Sequence, residues 1–554
     1  MKKNIKNKIL SILLVVFSLL IFNNCNEDEL LNKYPQDAVN AGNYFIDASS
    51  ARGAVAAIFS NWNKRYTMYQ RYMLSYLDIL TDDAYTRIKD HRALLNNYTF
   101  DESHTTQDVF KDWWIYIFRS INDANFCIDY IPTSSDPKFT EELQKPYIAA
   151  AKFMRAFGYI YLTSLYGDVP LHRTFIANVE ESYKSRSPVS EVYDLIIEDL
   201  IYAKENLPNN WPTENYGLPT KAAGAGMLAR AYLYKKDFAN AETAAKEAIQ
   251  IADASGYQLM ADYEYMMSYE SQPNKEFIFT INFKKDDDWS KTGNMFEGMV
   301  ERLPRGGDTP NGPTLGPIIY AVMGGDGWGY VMPTRDLLDE FEPGDPRRKY
   351  SMWIPGDFYG IHNGETAVYT NPYTKETYTY NDGDSIFYQK GWSPAFMNTR
   401  KVIASIANQS TVQASGFDIP ILRYAELLLY YAEALIENNK ISEGMAQINK
   451  VRARPSVDMP AVSASSQADA RAKLRHERRI ELNLEGIRIF DIRRWGIVEE
   501  VLGAGANSNK VLVRYGDDTM YKGTECQFPQ DLLLPIPARD ELDINDNVDQ
   551  NPGY

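Results

Sequence analysis

The chain has 554 residues, 44% apolar and 24% charged, with 33 Gly, 27 Pro and a formal charge of −16. That composition excludes a disordered or collagen-like chain and argues against a long coiled coil. The acid excess argues against nucleic acid as a partner, because it repels a phosphate backbone. The three cysteines, Cys25, Cys127 and Cys526, exclude a disulfide framework and a four-Cys zinc site.

Residues 1–24 read as a signal peptide. Met1–Lys8 is basic, and Ile9–Phe22 is an uncharged apolar run. As a helix that run spans about 21 Å, short of the roughly 30 Å of a bilayer core, so it reads as an export signal, not a permanent span. Cys25 follows directly and is the expected lipid-attachment residue; acyl chains would anchor an otherwise soluble body. Phe22-Asn23-Asn24 departs from the small residue usually found before such a cysteine. Residues 25–50 form the lipidated N-terminus and tether, with Asn26-Glu27-Asp28-Glu29 at its start. Without Lys2, Lys3, Lys6 and Lys8 the remaining 54 bases face 74 acids, a net of −20.

From about 51 to 252 the apolar spacing is helical. Ala51–Leu80 carries Val55, Ile58, Phe59, Trp62, Met73, Leu74 and Leu77. Val109–Ile131 places Trp113, Ile117, Ile121, Ala124 and Ile128 at spacings of three and four. Glu141–Tyr166 opens on two acids and stops at Gly167, with Pro170 beyond it. Val189–Leu207 stops before Pro208. Lys221–Ile251 reads as two helices joined at Lys235-Lys236-Asp237, packing through Ala231, Tyr232, Phe238, Ala241, Ala245 and Ala248. That is a tetratricopeptide-like unit, and residues 422–455 repeat the plan.

Between them, at about 257–420, the character changes. Glu276–Phe283 alternates as a strand, and Leu303–Pro317 is Gly/Pro-rich loop. Tyr373–Tyr388 around Asn381-Asp382-Gly383 predicts a hairpin. Trp289, Trp328, Trp353 and Trp392 lie here beside turn residues and not in helical stripes. Helices return at about 421–502, where His476–Trp495 is dense in Arg and Glu. Arg479, Glu481, Glu485, Arg488 and Asp491 include successive pairs three or four apart, so ion pairing along the helices outweighs an anion site as their role.

Catalytic signatures fail. There is no G-x-S-x-G, no Walker A sequence and no G-x-G-x-x-G, and His476-Glu477 lacks a second His. Asp543–Asn547 opens like a calcium loop, but Val548 stands where Gly is needed. No metal or cofactor is expected. A glycoside hydrolase needs only two acids at a set separation, and a sequence with 74 acids nominates no pair.

Six segments in order then carry a resemblance. They are Leu31–Pro35 after Cys25; Asp112-Trp113-Trp114 through Asn125; Arg155-Ala156-Phe157 with Tyr166–Leu171; Arg423–Glu426 with Ala432–Ala434 and Ile448–Arg452; Arg478–Leu482 with Glu485–Arg488 and Arg494–Gly496; and Pro535–Pro537 with Gln550–Tyr554. Together they resemble the SusD/RagB family of Bacteroidetes outer-membrane nutrient-binding lipoproteins. The resemblance implies a mainly α, SusD-like fold: four tetratricopeptide-like helix pairs with a large irregular insertion containing short strands, as one domain over 51–554. It implies a non-catalytic, lipid-anchored protein on the outer-membrane surface. Such a protein captures oligosaccharides, or in the RagB-like branch peptides, and delivers them to a TonB-dependent SusC-like channel. A surface glycoside hydrolase and a helical-repeat scaffold binding only protein are the competing readings.

The resemblance also implies ligand contacts from the loop Tyr98–Thr106 and from the insertion. Tyr98, Phe100 and His104 are candidates in the first, and Trp289, Phe296, Trp328 and Tyr330 in the second. Flat rings cover the C–H faces of sugars, while amides, acids and Arg bond the hydroxyls. Trp328 leads, because Gly324-Gly325-Asp326-Gly327 and Gly329 argue for an exposed loop. Trp113, Trp114 and Trp495 sit in helical patterns and are expected in the core.

Overall fold

Small residues decide how the helices meet. The computed structural model describes residues 44–45, 47–63, 68, 73–86, 91–284, 331–362, 365–370, 377–389, 397–401, 416–502, 512–515, 518–521 and 532–554. The main helices are α1 (Ala48–Trp62), α2 (Met73–Ile79), α3 (Asp108–Tyr130), α4 (Glu141–Tyr166), α5 (Val189–Asn206), α6 (Lys221–Tyr234), α7 (Phe238–Ala254), α8 (Tyr424–Glu437), α9 (Ile441–Arg452), α10 (Gln467–Leu482) and α11 (Arg488–Arg494). Each helix from α3 to α9 packs on the next, and α1 packs on both α3 and α4. The expected mainly α architecture is observed. The expected single helical run over Ala51–Leu80 is divided between α1 and α2.

α4 ends as its sequence requires, at Gly167 with φ +76°. α6 is capped by Thr220 and buries Ala222, Ala223, Gly224, Ala225 and Gly226 in succession. A Cβ on Gly224 would stand 3.0 Å from the backbone N of Lys204, so the missing side chain lets α6 approach the α5 backbone. Trp113 and Trp114 are buried in the core, as their helical spacing predicts.

The two tetratricopeptide-like units share one turn geometry. α6 is followed by Lys236 at φ +61°, and Asp237 N donates back to Tyr232 O at 2.9 Å. α8 is followed by Asn439 at φ +63°, and Lys440 N donates back to Leu435 O at 2.8 Å. A left-handed residue with a six-residue return bond closes the C-terminus of a helix and sends the chain back along it.

α7 packs directly on α8, so the intervening segment leaves the stack and returns to it. Its exit and return are tied together. Strand β1 (Phe277–Ile281) pairs antiparallel with β6 (Ile419–Arg423), with Ile281 opposite Ile419 and Phe277 opposite Arg423. Between them in sequence come β2 (Phe358–Ile361), β3 (Ala367–Thr370), β4 (Thr377–Tyr380) and β5 (Ser385–Phe387). The expected hairpin at Asn381-Asp382-Gly383 is not formed: β4 pairs with β3, and β5 pairs with β2. The turn itself is present, with Asp384 N donating to Asn381 O at 3.0 Å, but each strand after it takes another partner.

Candidate functional site

Three places can be weighed. The first is the loop before α3. Asp101 caps a short 3-10 turn, accepting from Ser103 N at 2.8 Å and meeting His104 Nδ1 at 2.9 Å. His104 is partly exposed. Tyr98 and Phe100 do not face solvent, which corrects the expectation that this loop presents them to ligand. The Tyr98 hydroxyl donates to Leu80 O, and its ring lies 5.8 Å from that of Phe100. Phe100 is buried against Phe110 and stacks on the terminal Tyr554. Both rings are core because Phe110 and the C-terminal segment close over them. Trp289, Phe296, Trp328 and Tyr330 lie outside the described residues, as do Cys25 and Cys526.

The second place is the Arg/Glu cluster. It is a largely buried ionic core in which carboxylates are bound by cations, with Asp82, Arg479 and Arg488 also lining a cavity of about 370 Å³. Glu481 accepts from Arg454 at 2.7 Å, Arg423 at 3.2 Å and Arg347 at 3.1 Å. Glu276 binds Arg423 at 2.8 Å and Arg454 at 2.6 Å. Glu485 binds Arg423 at 2.7 Å and Lys401 at 2.6 Å. Arg479 and Arg488 reach Asp82 at 3.0 and 2.8 Å, and Arg479 reaches Asp83 at 2.7 Å. Pairing was expected along the helices, but most partners come from distant segments. The chain turns at Leu484 and Gly486, both at positive φ, which separates α10 from α11 and aims the side chains inward. Within the segment, Asp491 holds Arg478 and Arg494, each at 2.8 Å.

Burial pushes the Glu481 carboxyl up, but Arg454, Arg423 and Arg347 outweigh it and hold its pKa down, to about 2. Glu485 and Asp491 are lowered in the same way, against burial, by Arg423 with Lys401 and by Arg478 with Arg494. Carboxylates depressed by folding stabilise the protein above their unfolded pKa. That stability is lost as pH falls through the folded value. Asp78 runs the other way, raised by burial and by Asp83, so its protonation stabilises the protein at higher pH, before that loss sets in. The melting temperature is therefore expected to fall between about pH 4.5 and about pH 2 at constant ionic strength. Thermal melts followed by circular dichroism check this, and a flat profile over that range contradicts it.

The third place is a cleft of about 690 Å³ at the root of the insertion. It is lined by the loop between α5 and α6, by β1 and by Asp418 at the start of β6. Tyr216 and the partly buried Trp211 and Tyr257 bring rings to it. Trp211 Nε1 donates to Pro219 O at 2.8 Å, and the ring rests 5.5 Å from that of Tyr147. Buried Asp418 accepts from Tyr216 Oη at 3.0 Å, Asn282 Nδ2 at 2.8 Å and Phe283 N at 2.9 Å. Burial raises its pKa against those bonds. Asn215 Oδ1 is buried and has no hydrogen-bond partner. None of the ligand contacts expected from the sequence lies in this loop. Its signal was available: Trp211 and Tyr216 stand among Asn, Pro and Gly, as Trp328 does.

Comparisons with known proteins agree on the lineage. The sequence model of the SusD family matches residues 275–554, and one described as starch-binding, associating with outer membrane, matches residues 50–233. A SusD-like protein P2 of Formosa agariphila is 28% identical over 472 residues, 84% of each chain. The crystal structure of a SusD-like carbohydrate binding protein from Bacteroides fragilis is similar at a TM-score of 0.71 and 24% identity, covering 91% of this chain and 99% of that one. Surface glycan-binding protein A from Bacteroides thetaiotaomicron, solved in complex with laminarihexaose, is similar at a TM-score of 0.67 and 19% identity, with 91% and 99% covered. With a match over half its length, six ordered segments and a shared helical stack, the chain belongs to the SusD family.

Proposed function

We propose that this protein is a non-catalytic glycan-binding lipoprotein of the outer-membrane surface. It captures oligosaccharides and passes them to a TonB-dependent SusC-like channel. Residues 51–554 are its single body, and Cys25 carries the lipid. The observation that carries the reading is membership of a family whose similar structures include a carbohydrate binding protein and a laminarihexaose complex. The outer-membrane description of the second family model supports the location. The insertion supports the mode of binding. Arg347 and Lys401 fasten it to the helical body, and its described part exposes Phe358 and Phe387 with ring centroids 5.8 Å apart.

Trp328 is the leading ligand contact, with Trp289, Phe296 and Tyr330 from the same insertion and His104 from the early loop. Weak binding suits a protein that hands its ligand on, and a few stacks and hydrogen bonds supply it. Trp328→Ala is expected to weaken binding of the preferred glycan about tenfold, or about 1.4 kcal/mol. Isothermal titration against a glycan panel checks this. Binding of peptides but of no glycan assigns the protein to the RagB-like branch. Release of reducing ends by the pure protein makes it a hydrolase.

A further inference from the structure

An exposed tyrosine ordinarily keeps its hydroxyl in water. Tyr216 is 61% exposed, yet its hydroxyl is bound to the carboxylate of Asp418, which is only 6% exposed. Burying a carboxylate is unfavourable unless donors satisfy it. Here Asn282, the Phe283 N–H and the tyrosine do so. The next residue, Gly217, has φ +95°, and a Cβ there would stand 2.5 Å from Asn282 Oδ1. A side chain at 217 would push this lip off the amide that helps hold Asp418. The ring is thus fixed from both ends while its face stays open to the cleft, and fixing a ring before the ligand arrives lowers the entropy lost on binding.

The rest of the lining defines the ligand. Among the described residues Lys275 and Asp418 are the only base and acid lining it, and their charges cancel. Hydrogen-bonding capacity comes instead from uncharged groups such as Asn210, Thr213 and Gln272. Rings beside amides and hydroxyls, with no net charge, match a molecule that has apolar C–H faces and a rim of hydroxyls. A uronate or sulfated sugar finds a single lysine, offset by a carboxylate.

We propose that the cleft at the root of the insertion is a binding site for a neutral sugar unit, with Tyr216 as its stacking ring. It uses none of the residues named above as ligand contacts, and it rests on the glycan-binding reading. The test is isothermal titration of the full chain in detergent with laminarihexaose, maltohexaose, cellohexaose and xylohexaose. Wild type, Tyr216→Ala, Tyr216→Phe and Trp328→Ala are compared, each with a thermal melt.

For a sugar that binds wild type, Tyr216→Ala is expected to weaken affinity by roughly 3- to 10-fold, the worth of one aromatic stack. Tyr216→Phe keeps the ring but frees it from Asp418, and about a 2-fold loss is expected. If Tyr216→Ala fails to fold, the phenylalanine variant and the competing sugar carry the decision: alginate hexamer must bind more weakly than the neutral hexasaccharide. Unchanged affinity in both Tyr216 variants, with wild type and Trp328→Ala differing, overturns the cleft and leaves the glycan reading standing. No binding of any neutral sugar by wild type overturns the cleft; binding of alginate hexamer then leaves the glycan reading standing, and binding of no sugar at all overturns both.

Discussion

Glu481→Ala is expected to destabilise the protein by about 3–5 kcal/mol, because it leaves buried charge without its counterion. Arg347, Arg423 and Arg454 are each no more than 1% exposed at the side chain, and all three lean on this one carboxylate. Arg347 keeps Asp345 and Glu477, Arg423 keeps Glu276 and Glu485, and Arg454 keeps Glu276. The three cations then share fewer anions in a medium that cannot hydrate them. Glu481→Gln separates charge from shape, since it retains volume and hydrogen-bonding atoms. Its loss is expected to stay within the same range, which marks charge as the dominant contribution. Urea unfolding of both variants checks the pair. A loss under about 1 kcal/mol for the alanine variant, the scale of an exposed ion pair, contradicts the account.

Asp199→Ala is expected to cost a similar amount, about 3–5 kcal/mol, at the other end of the helical stack. Asp199 on α5 is fully buried and grips Arg155 on α4 through both oxygens, at 2.7 and 2.8 Å. Lys152 adds a third contact at 2.8 Å. Arg155 in turn donates to Asn125 Oδ1 on α3 and to Arg173 O, each at 2.7 Å. One carboxylate therefore orders a guanidinium that crosses three helices. Without it that guanidinium remains buried and only partly satisfied. Asp199→Asn is expected to recover part of the loss by keeping one acceptor for Arg155. Denaturant midpoints of the two variants decide the matter, and equal, small losses refute it.

What could be read from the residues followed from local causes. Glu141–Tyr166 emerged at the expected bounds because acids open it, apolar spacing runs through it and Gly167 ends it. The paired units at α6–α7 and α8–α9 were visible because small and aromatic residues alternate around a polar turn. What local pattern could not supply was choice of partner. Asn381-Asp382-Gly383 does turn the chain, but β4 and β5 find other strands, and alternation does not name them. Arg479 and Glu481 pair with residues 27 to 397 positions away, a matter of tertiary path and not of helical spacing. Tyr98 and Phe100 look loop-borne in sequence, yet the chain's last residue closes over Phe100. The cleft at Trp211 and Tyr216 was missed because its carboxylate, Asp418, comes from the far end of the insertion.

The ionic core draws Asp82, Glu276, Arg347, Arg423, Arg454 and Glu481 to one place, so the interior has no self-sufficient half. A nascent chain that has not yet produced α10 carries three arginines whose central counterion does not exist. Completion of this centre must wait for the last quarter of the polypeptide, and chains built from such remote contacts assemble slowly. The late-arriving helix acts as a keystone: earlier helices can line up beside one another, but the assembly locks only when it drops in.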